Sequence, residues 1–343
     1  MTNVIFAGQG SQYPGMGEII NQSSENKELM EIVEFWLKND HWLERHLTED
    51  DNGEQIDWQE KIPWLRTSLE DIMLNADGNE LRNTINAQPA IFVYNHMLYN
   101  SLRDKIEPTY FLGHSLGEFN AAVATGALTF EDGVRLIKIR AGLMDHLARQ
   151  LQNSVENPDE KLYYMAIVKP PTGNEEEIVK QIEQMCQEVT DDENYVGLVL
   201  DNYKDQKILS GHPVYVEKMV NNIKNVFSGK VKTLFLKNAG GPFHTPYMSK
   251  AEDKLREAFQ EYMKKAEDRF RSPKIPLICN YTGKPTVNPH EIRENLIKQV
   301  SGKIKWDKSL EYAFKDVKDF IEIGPKKPHS LSIIKFYDGV CPL

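Results

Sequence analysis

The chain has 343 residues, 40% of them hydrophobic and 27% charged, with a formal net charge of −10; that length holds one large domain with a subdomain, or two domains. An acidic chain is a poor match for nucleic acid, whose binding needs counterion-releasing basic surface, and no apolar run approaches the roughly 18 residues of a membrane helix. The three cysteines, Cys186, Cys279 and Cys341, are widely spaced without a metal-ligand pattern, and MTNVIFAGQG carries no secretory leader, so a cytoplasmic protein is expected.

In chain order, Val4–Ala7 is strand-like and is followed by a glycine-rich loop, Gly8–Gly17, that lacks the spacing and the Lys-Ser/Thr of a phosphate loop. Residues 39–60 are acidic around a DNG turn and look like an exposed insertion. Gln88 to Leu102 is an apolar helix candidate, and Thr109–Leu112 a short buried strand. Leu116 to Val123 then reads as a helix, and Thr129 with Asp132 as an N-terminal cap for a helix from Phe130 to about Gln150. Residues 152–161 are a polar linker. Beyond it the order is strand (Leu162–Val168), helix (Glu175–Val189), two strands (Tyr195–Asp201, Lys207–Ser210), helix (Val214–Val226) and strand (Lys230–Leu236). That β-α-β-β-α-β order is the ferredoxin-like split pattern. It predicts an α/β protein in which a small domain, 162–237, is inserted into a large domain made of 1–161 and 238–343.

Ser115 stands at the centre of G-x-S-x-G, between Gly113 and Gly117, with a strand before it and a helix after it. Such a corner exposes the hydroxyl and places the next N–H at a helix start, where positive partial charge collects. Among nine histidines, His114 adjoins the serine but neighbours at a turn point apart. His41, His46 and His96 have no cleft-forming loop beside them. His244, in NAGGPFHTPYM, lies where the chain re-enters the large domain, a place for a site. On the helix TFEDGVRLIKIRAGLMDHLA, Val134, Ile137, Ala141, Met144 and Ala148 make an apolar stripe, and Arg140 falls inside its arc. An inward arginine needs an anion, either a structural Asp or Glu or the carboxylate of a ligand held by its planar fork.

GQGSQ, GHSLGE, Arg140 at 25 positions after Ser115, GPFHTPYM and NYTGKP occur in this order. Together they resemble the malonyl-CoA:acyl carrier protein transacylase family, including polyketide synthase acyltransferases, from about Val4 to Ser332. The resemblance implies an α/β-hydrolase-like large domain with a ferredoxin-like insert. It implies Ser115 as the acyl-accepting nucleophile, His244 as general base and the main-chain carbonyl of Gln299 as the group orienting the imidazole. The N–H groups of Gln9 and Leu116 would form the oxyanion hole, and Arg140 would hold the free carboxylate of a malonyl-type acyl group. Gln88, Asn202 and Phe243 match positions that line the site or select the acyl group.

The implied reaction is ping-pong transfer from malonyl-CoA to the phosphopantetheine thiol of an acyl carrier protein, with no metal, nucleotide or redox cofactor. The acidic carrier would suit the basic C-terminal quarter, where 14 Lys and Arg face 8 Asp and Glu from Arg269 onward. Pro242 departs from the usual motif, and EIGPKKPHSLS lacks two glycines that relatives tend to have. The chain is also longer than a housekeeping transacylase, which points to a free-standing enzyme serving a polyketide synthase in trans. The alternatives are the fatty-acid synthesis transacylase, a proofreading acyl hydrolase of the same fold, a silent carrier-docking protein and a general serine esterase.

Overall fold

The computed structural model describes residues 1–50, 53–154, 163–191, 194–203, 206–236, 239–264, 270–325 and 341–342. From the N-terminus, β1 (Thr2–Phe6) leads through α1 (Ser24–Asn39), α2 (Trp42–His46), α3 (Trp58–Lys61), α4 (Pro63–Arg66), α5 (Leu69–Asn75) and α6 (Thr84–Leu102) to β2 (Pro108–Gly113). Next come α7 (Gly117–Ala124), α8 (Phe130–Asn153), β3 (Met165–Lys169), α9 (Glu175–Val189), β4 (Val196–Tyr203), β5 (Gln206–Gly211), α10 (Pro213–Val226) and β6 (Lys232–Phe235). The last part holds α11 (Ser249–Lys264), β7 (Leu277–Cys279), β8 (Lys284–Thr286), α12 (Pro289–Lys298), α13 (Trp306–Asp316), β9 (Asp319–Ile323) and β10 (Cys341–Pro342).

The main sheet has the order β10-β9-β1-β2-β7-β8, parallel except for the β7–β8 pair. β1 is buried along its whole length. A central parallel strand covered on both faces calls for such an unbroken run. A second sheet, β4-β5-β3-β6, is antiparallel throughout, with α9 and α10 packed on it around their own apolar cluster. It meets the main body along β4, where Asp201 N–H donates to the Ile304 carbonyl and Ile304 N–H to that of Val199. Among the described residues no helix is long and apolar enough to cross a membrane.

α8 is buried on nearly every side rather than along one stripe. Its Thr129 cap accepts a hydrogen bond from the Asp132 N–H at 3.2 Å. Lys138, also buried, donates from Nζ to the carbonyls of Leu37 and Asp40 and so closes the C-terminal end of α1.

Residues 39–60 differ from the exposed insertion that their charge suggested. Trp42, Leu43, Leu47 and Trp58 are all buried, and a Cβ on Gly142 of α8 would lie 2.6 Å from Leu43. Apolar anchors scattered among acidic residues pack inward while Glu49 and Glu54 stay at the surface. Asp51 and Asn52 of the DNG turn, and 155–161 of the linker, lie outside the described residues.

Two close backbone approaches require glycine. A Cβ on Gly113 would sit 1.9 Å from the Gly117 carbonyl carbon, and one on Gly117 would sit 2.2 Å from the Phe6 oxygen. These contacts bring the strand β2, the helix α7 and the end of β1 together at one corner. Because backbone cannot swing aside, Gly113→Ala is expected to lower the unfolding free energy by roughly 3 kcal/mol, the upper range for overpacking. Chemical denaturation of the purified variant measures it.

Candidate active site

Ser115 occupies the corner between β2 and α7 with φ of 51°, a left-handed conformation unusual for a residue with a Cβ. Its N–H donates to Asn280 Oδ1 at 2.7 Å, and Asn280 Nδ2 donates to the Gly113 carbonyl at 2.6 Å. Asn280 follows β7 directly, so one side chain of the neighbouring strand clamps both sides of the corner. His244 also has a positive φ, 61°, on the loop that follows the second sheet. Among the described residues Ser228 is the only other non-glycine with positive φ. Strain of this kind persists where surrounding structure over-determines it.

Ser115 Oγ lies 3.0 Å from His244 Nε2. On the far side of the ring, His244 Nδ1 lies 2.6 Å from the Gln299 carbonyl oxygen. That oxygen can only accept, so the ring hydrogen sits on Nδ1 and Nε2 is left to accept the serine proton. Three of the other histidines are engaged elsewhere. His114 is 3.1 Å from Asn202 Oδ1, His46 contacts the Trp42 carbonyl and Glu261, and His96 stacks on Phe130.

Arg140 is 2% exposed and comes from α8 directly beneath the serine. Its Nη2 donates to Ser115 Oγ at 3.2 Å, its Nη1 donates to Gln88 Oε1, and its Cζ lies 5.7 Å from the Phe119 ring centroid. Among the described residues no carboxylate forms an ion pair with it, and its Nε has no hydrogen-bond partner. Gln88 is buried and also approaches the Met144 sulfur at 3.6 Å. Gln9 donates from its side chain to Thr84 Oγ1 at 3.0 Å. Leu116 is fully buried at the head of α7. Phe243 is buried beside His244, and its carbonyl accepts from Ser210 Oγ at 3.3 Å.

Three contributions were not singled out in the sequence. The Asn280 clamp sits in NYTGKP, the Glu118 carboxyl in GHSLGE, and the Gln299 side chain acts beside its own carbonyl. Gln299 Nε2 donates to the Ser115 carbonyl and to Glu118 Oε2, each at 3.1 Å. Glu118 Oε2 also accepts from the Asn280 N–H at 3.2 Å. Burial raises the Glu118 carboxyl to about 8 against the opposing pull of the Asn280 N–H, Cys279 and Arg140. The same burial lowers Arg140 to about 10, with Glu118 acting in the other direction. His244 is lowered to about 3, first by burial and then by the Arg140 charge, against the Gln299 carbonyl.

A strand–serine–helix corner with a histidine at hydrogen-bond distance defines the class: the model of the acyl transferase domain matches residues 63–172. A malonyl CoA-acyl carrier protein transacylase of Bacillus subtilis strain 168 is 30% identical over 325 residues, 94% of this chain and 86% of that protein. A second Bacillus subtilis protein of that name is 29% identical over 326 residues, covering 94% of this chain and 68% of its own. The crystal structure of malonyl CoA-acyl carrier protein transacylase from Clostridium perfringens superposes with a TM-score of 0.76 at 25% identity, covering all of this chain and 92% of that one. The chain belongs to the malonyl CoA-acyl carrier protein transacylase family and is an acyltransferase.

His244 gives stability a pH dependence. Its ordinary value is 6.5 and its folded value about 3, so as pH falls below 6.5 the unfolded chain takes up a proton that the folded chain declines. Stability therefore falls with pH, approaching tenfold in the unfolding constant per pH unit from this one residue. His244→Gln is expected to show a shallower loss of stability between about pH 6.5 and about pH 4.5, read by urea unfolding at several pH values.

Proposed function

We propose that this chain transfers a malonyl group from malonyl-CoA to the phosphopantetheine thiol of an acyl carrier protein through an ester on Ser115. The observation that carries this reading is Arg140: a buried guanidinium at 3.2 Å from the serine oxygen, hydrogen-bonded among the described residues only to neutral groups. An isolated buried charge is strongly unfavourable, and a carboxylate two carbons from the acylated oxygen would supply its anion. The relatives named above carry the same substrate and carrier in their names.

In the first half-reaction Ser115 Oγ attacks the thioester carbonyl while His244 Nε2 takes its proton. Nδ1–H stays on the Gln299 carbonyl and fixes the ring through both transfers. The oxyanion would lie against the N–H groups of Gln9 and Leu116, each such donor being worth about 3–4 kcal/mol. The proton on Nε2 passes to the departing coenzyme A sulfur. In the second half the carrier thiol gives its proton to Nε2 and attacks the ester carbonyl, and the Nε2 proton returns to Ser115 Oγ as it is released. Thioester and ester exchange through acid–base steps alone, so these residues suffice without a metal or redox cofactor. The Arg140 clamp holds the acyl group in position for a thiol.

The basic C-terminal quarter is narrowed by its ion pairs. Lys303 is held by Glu183 and Asp201, and Lys308 by Glu311. Lys326 and Lys327 lie outside the described residues. Lys298 and Lys305 lie 5.8 and 5.5 Å from the Tyr281 ring centroid; in the chain Lys298 precedes Gln299 and Tyr281 follows Asn280. Their position outside the two residues that hold the catalytic pair supports docking of the acidic carrier at this point.

Intact-protein mass spectrometry after mixing with malonyl-CoA tests the reading. A malonyl adduct is expected, absent in Ser115→Ala; release of free acid without an adduct would favour an acyl hydrolase. Arg140→Ala is expected to lose roughly 30- to 4000-fold in malonyl loading, the scale of truncating one partner of a buried charge pair. Acetyl loading should be spared. Undiminished malonyl turnover in the arginine variant would overturn the anchor.

A further inference from the structure

Glu118 lies on α7 behind the serine and is fully buried. Its Oε2 receives two donors, the Asn280 N–H and Gln299 Nε2. Its Oε1 receives no N–H or O–H donor, with the Cys279 thiol as the one weak donor beside the carboxyl, and Arg140 Nε is unpartnered among the described residues. Arg140 faces it from α8 and Cys279 from β7. Glu291 of α12 faces Cys279, while His244 faces Arg140 and is itself faced by His114. Within this set Arg140 is the one permanent cation.

One buried cation can balance one anion. If Glu118 is ionised when an acyl carboxylate reaches the guanidinium, two anions share a single positive charge where water is excluded. Uncompensated buried charge is relieved most readily by protonation. Oε2 is committed to two donors, which leaves Oε1 to carry the proton.

We propose that Glu118 is a charge-balancing residue for the Arg140 site: a dicarboxylic acyl group is accepted with Glu118 protonated at Oε1, and when Glu118 starts ionised one proton enters from solvent with each carboxylate. A monocarboxylic acyl group brings no charge and takes up no proton. The inference rests on Arg140 being the carboxylate anchor. It assigns Glu118 a task that holding Asn280 and Gln299 does not require, since a glutamine there would hold both. The Glu118 carboxyl, raised to about 8 by its burial, titrates in an accessible range, while His244, lowered to about 3, stays neutral across it.

The test is the ratio of kcat/KM for Ser115 acylation by malonyl-CoA to that by acetyl-CoA, measured on the full chain from about pH 6.5 to about pH 9. Coenzyme A titrations are common to both substrates and cancel. The ratio should be level at the acid end and fall above about pH 8, tending to tenfold per pH unit for one proton taken up. In Glu118→Gln, which keeps an oxygen acceptor for both donors, the ratio should be level throughout, whatever the absolute rates. A level ratio in the wild type, or a fall that persists in Glu118→Gln, would overturn the proposal. If that variant does not fold, infrared difference spectra of the wild type decide. A protonated carboxylic C=O band should appear on malonyl loading at about pH 9 and not on acetyl loading; its absence overturns the proposal. No malonyl adduct at any pH, or malonyl loading indifferent to Arg140→Ala, would instead remove the reading on which the inference rests.

Discussion

The site is organised by one buried positive charge. Arg140 sits at the middle of α8, a helix covered on almost all sides, where no water compensates a guanidinium. Its hydrogen bonds run to Gln88 and Ser115, both neutral, so the fold holds the cation in position without neutralising it directly. This is costly in stability, because the desolvation of an ion is offset only by an opposite charge at close range. An acyl carboxylate beside the serine oxygen, as proposed, would supply the anion that this arrangement lacks.

The corner that carries Ser115 is imposed by backbone packing. Gly113, Gly117 and Phe6 approach so closely that side chains at the glycines would overlap main-chain atoms. The Asn280 side chain then fixes the amide of Ser115 and the carbonyl of Gly113 together. His244 is held through Gln299, whose carbonyl takes the ring N–H while its amide reaches the Ser115 carbonyl and Glu118. Serine and histidine thus share supports: the glutamine that holds the imidazole also braces the peptide of Ser115. A displacement of either is opposed by the same buried residues, as the proposed passage of one proton back and forth between them would require.

Much of this was legible in the sequence because its signals are local. The strand, Ser115 and the following helix lie within fifteen residues, the cap at Thr129 marks the start of α8, and the apolar stripe of that helix marks the inward face on which Arg140 falls. The second sheet shows the same legibility in its alternating strands and helices. What was not legible depends on contacts remote in sequence. Asn280 and Glu118 are ordinary polar residues in their own segments. Their significance comes from the pairing of β2 with β7, which places residue 280 against residue 115. The acidic segment 39–60 misled for a related reason. Net charge reports the outer face of such a segment, while burial of Trp42, Leu43 and Trp58 is decided by the surface of α8 that they cover.

The electrostatics also tie substrate recognition to base strength. His244 is depressed by burial and then by the Arg140 charge, so in the resting site Nε2 is a weak acceptor for the serine proton. On the proposed reading, a carboxylate on Arg140 would offset the second of these causes and leave the first, raising the basicity of the imidazole only for an acyl group that carries the matching charge. A monocarboxylic acyl group fills the same space without that offset. Selection for the charged acyl group would then operate in the proton-transfer step as well as in binding, since the arginine that would hold the acyl carboxylate is the cation that lowers His244.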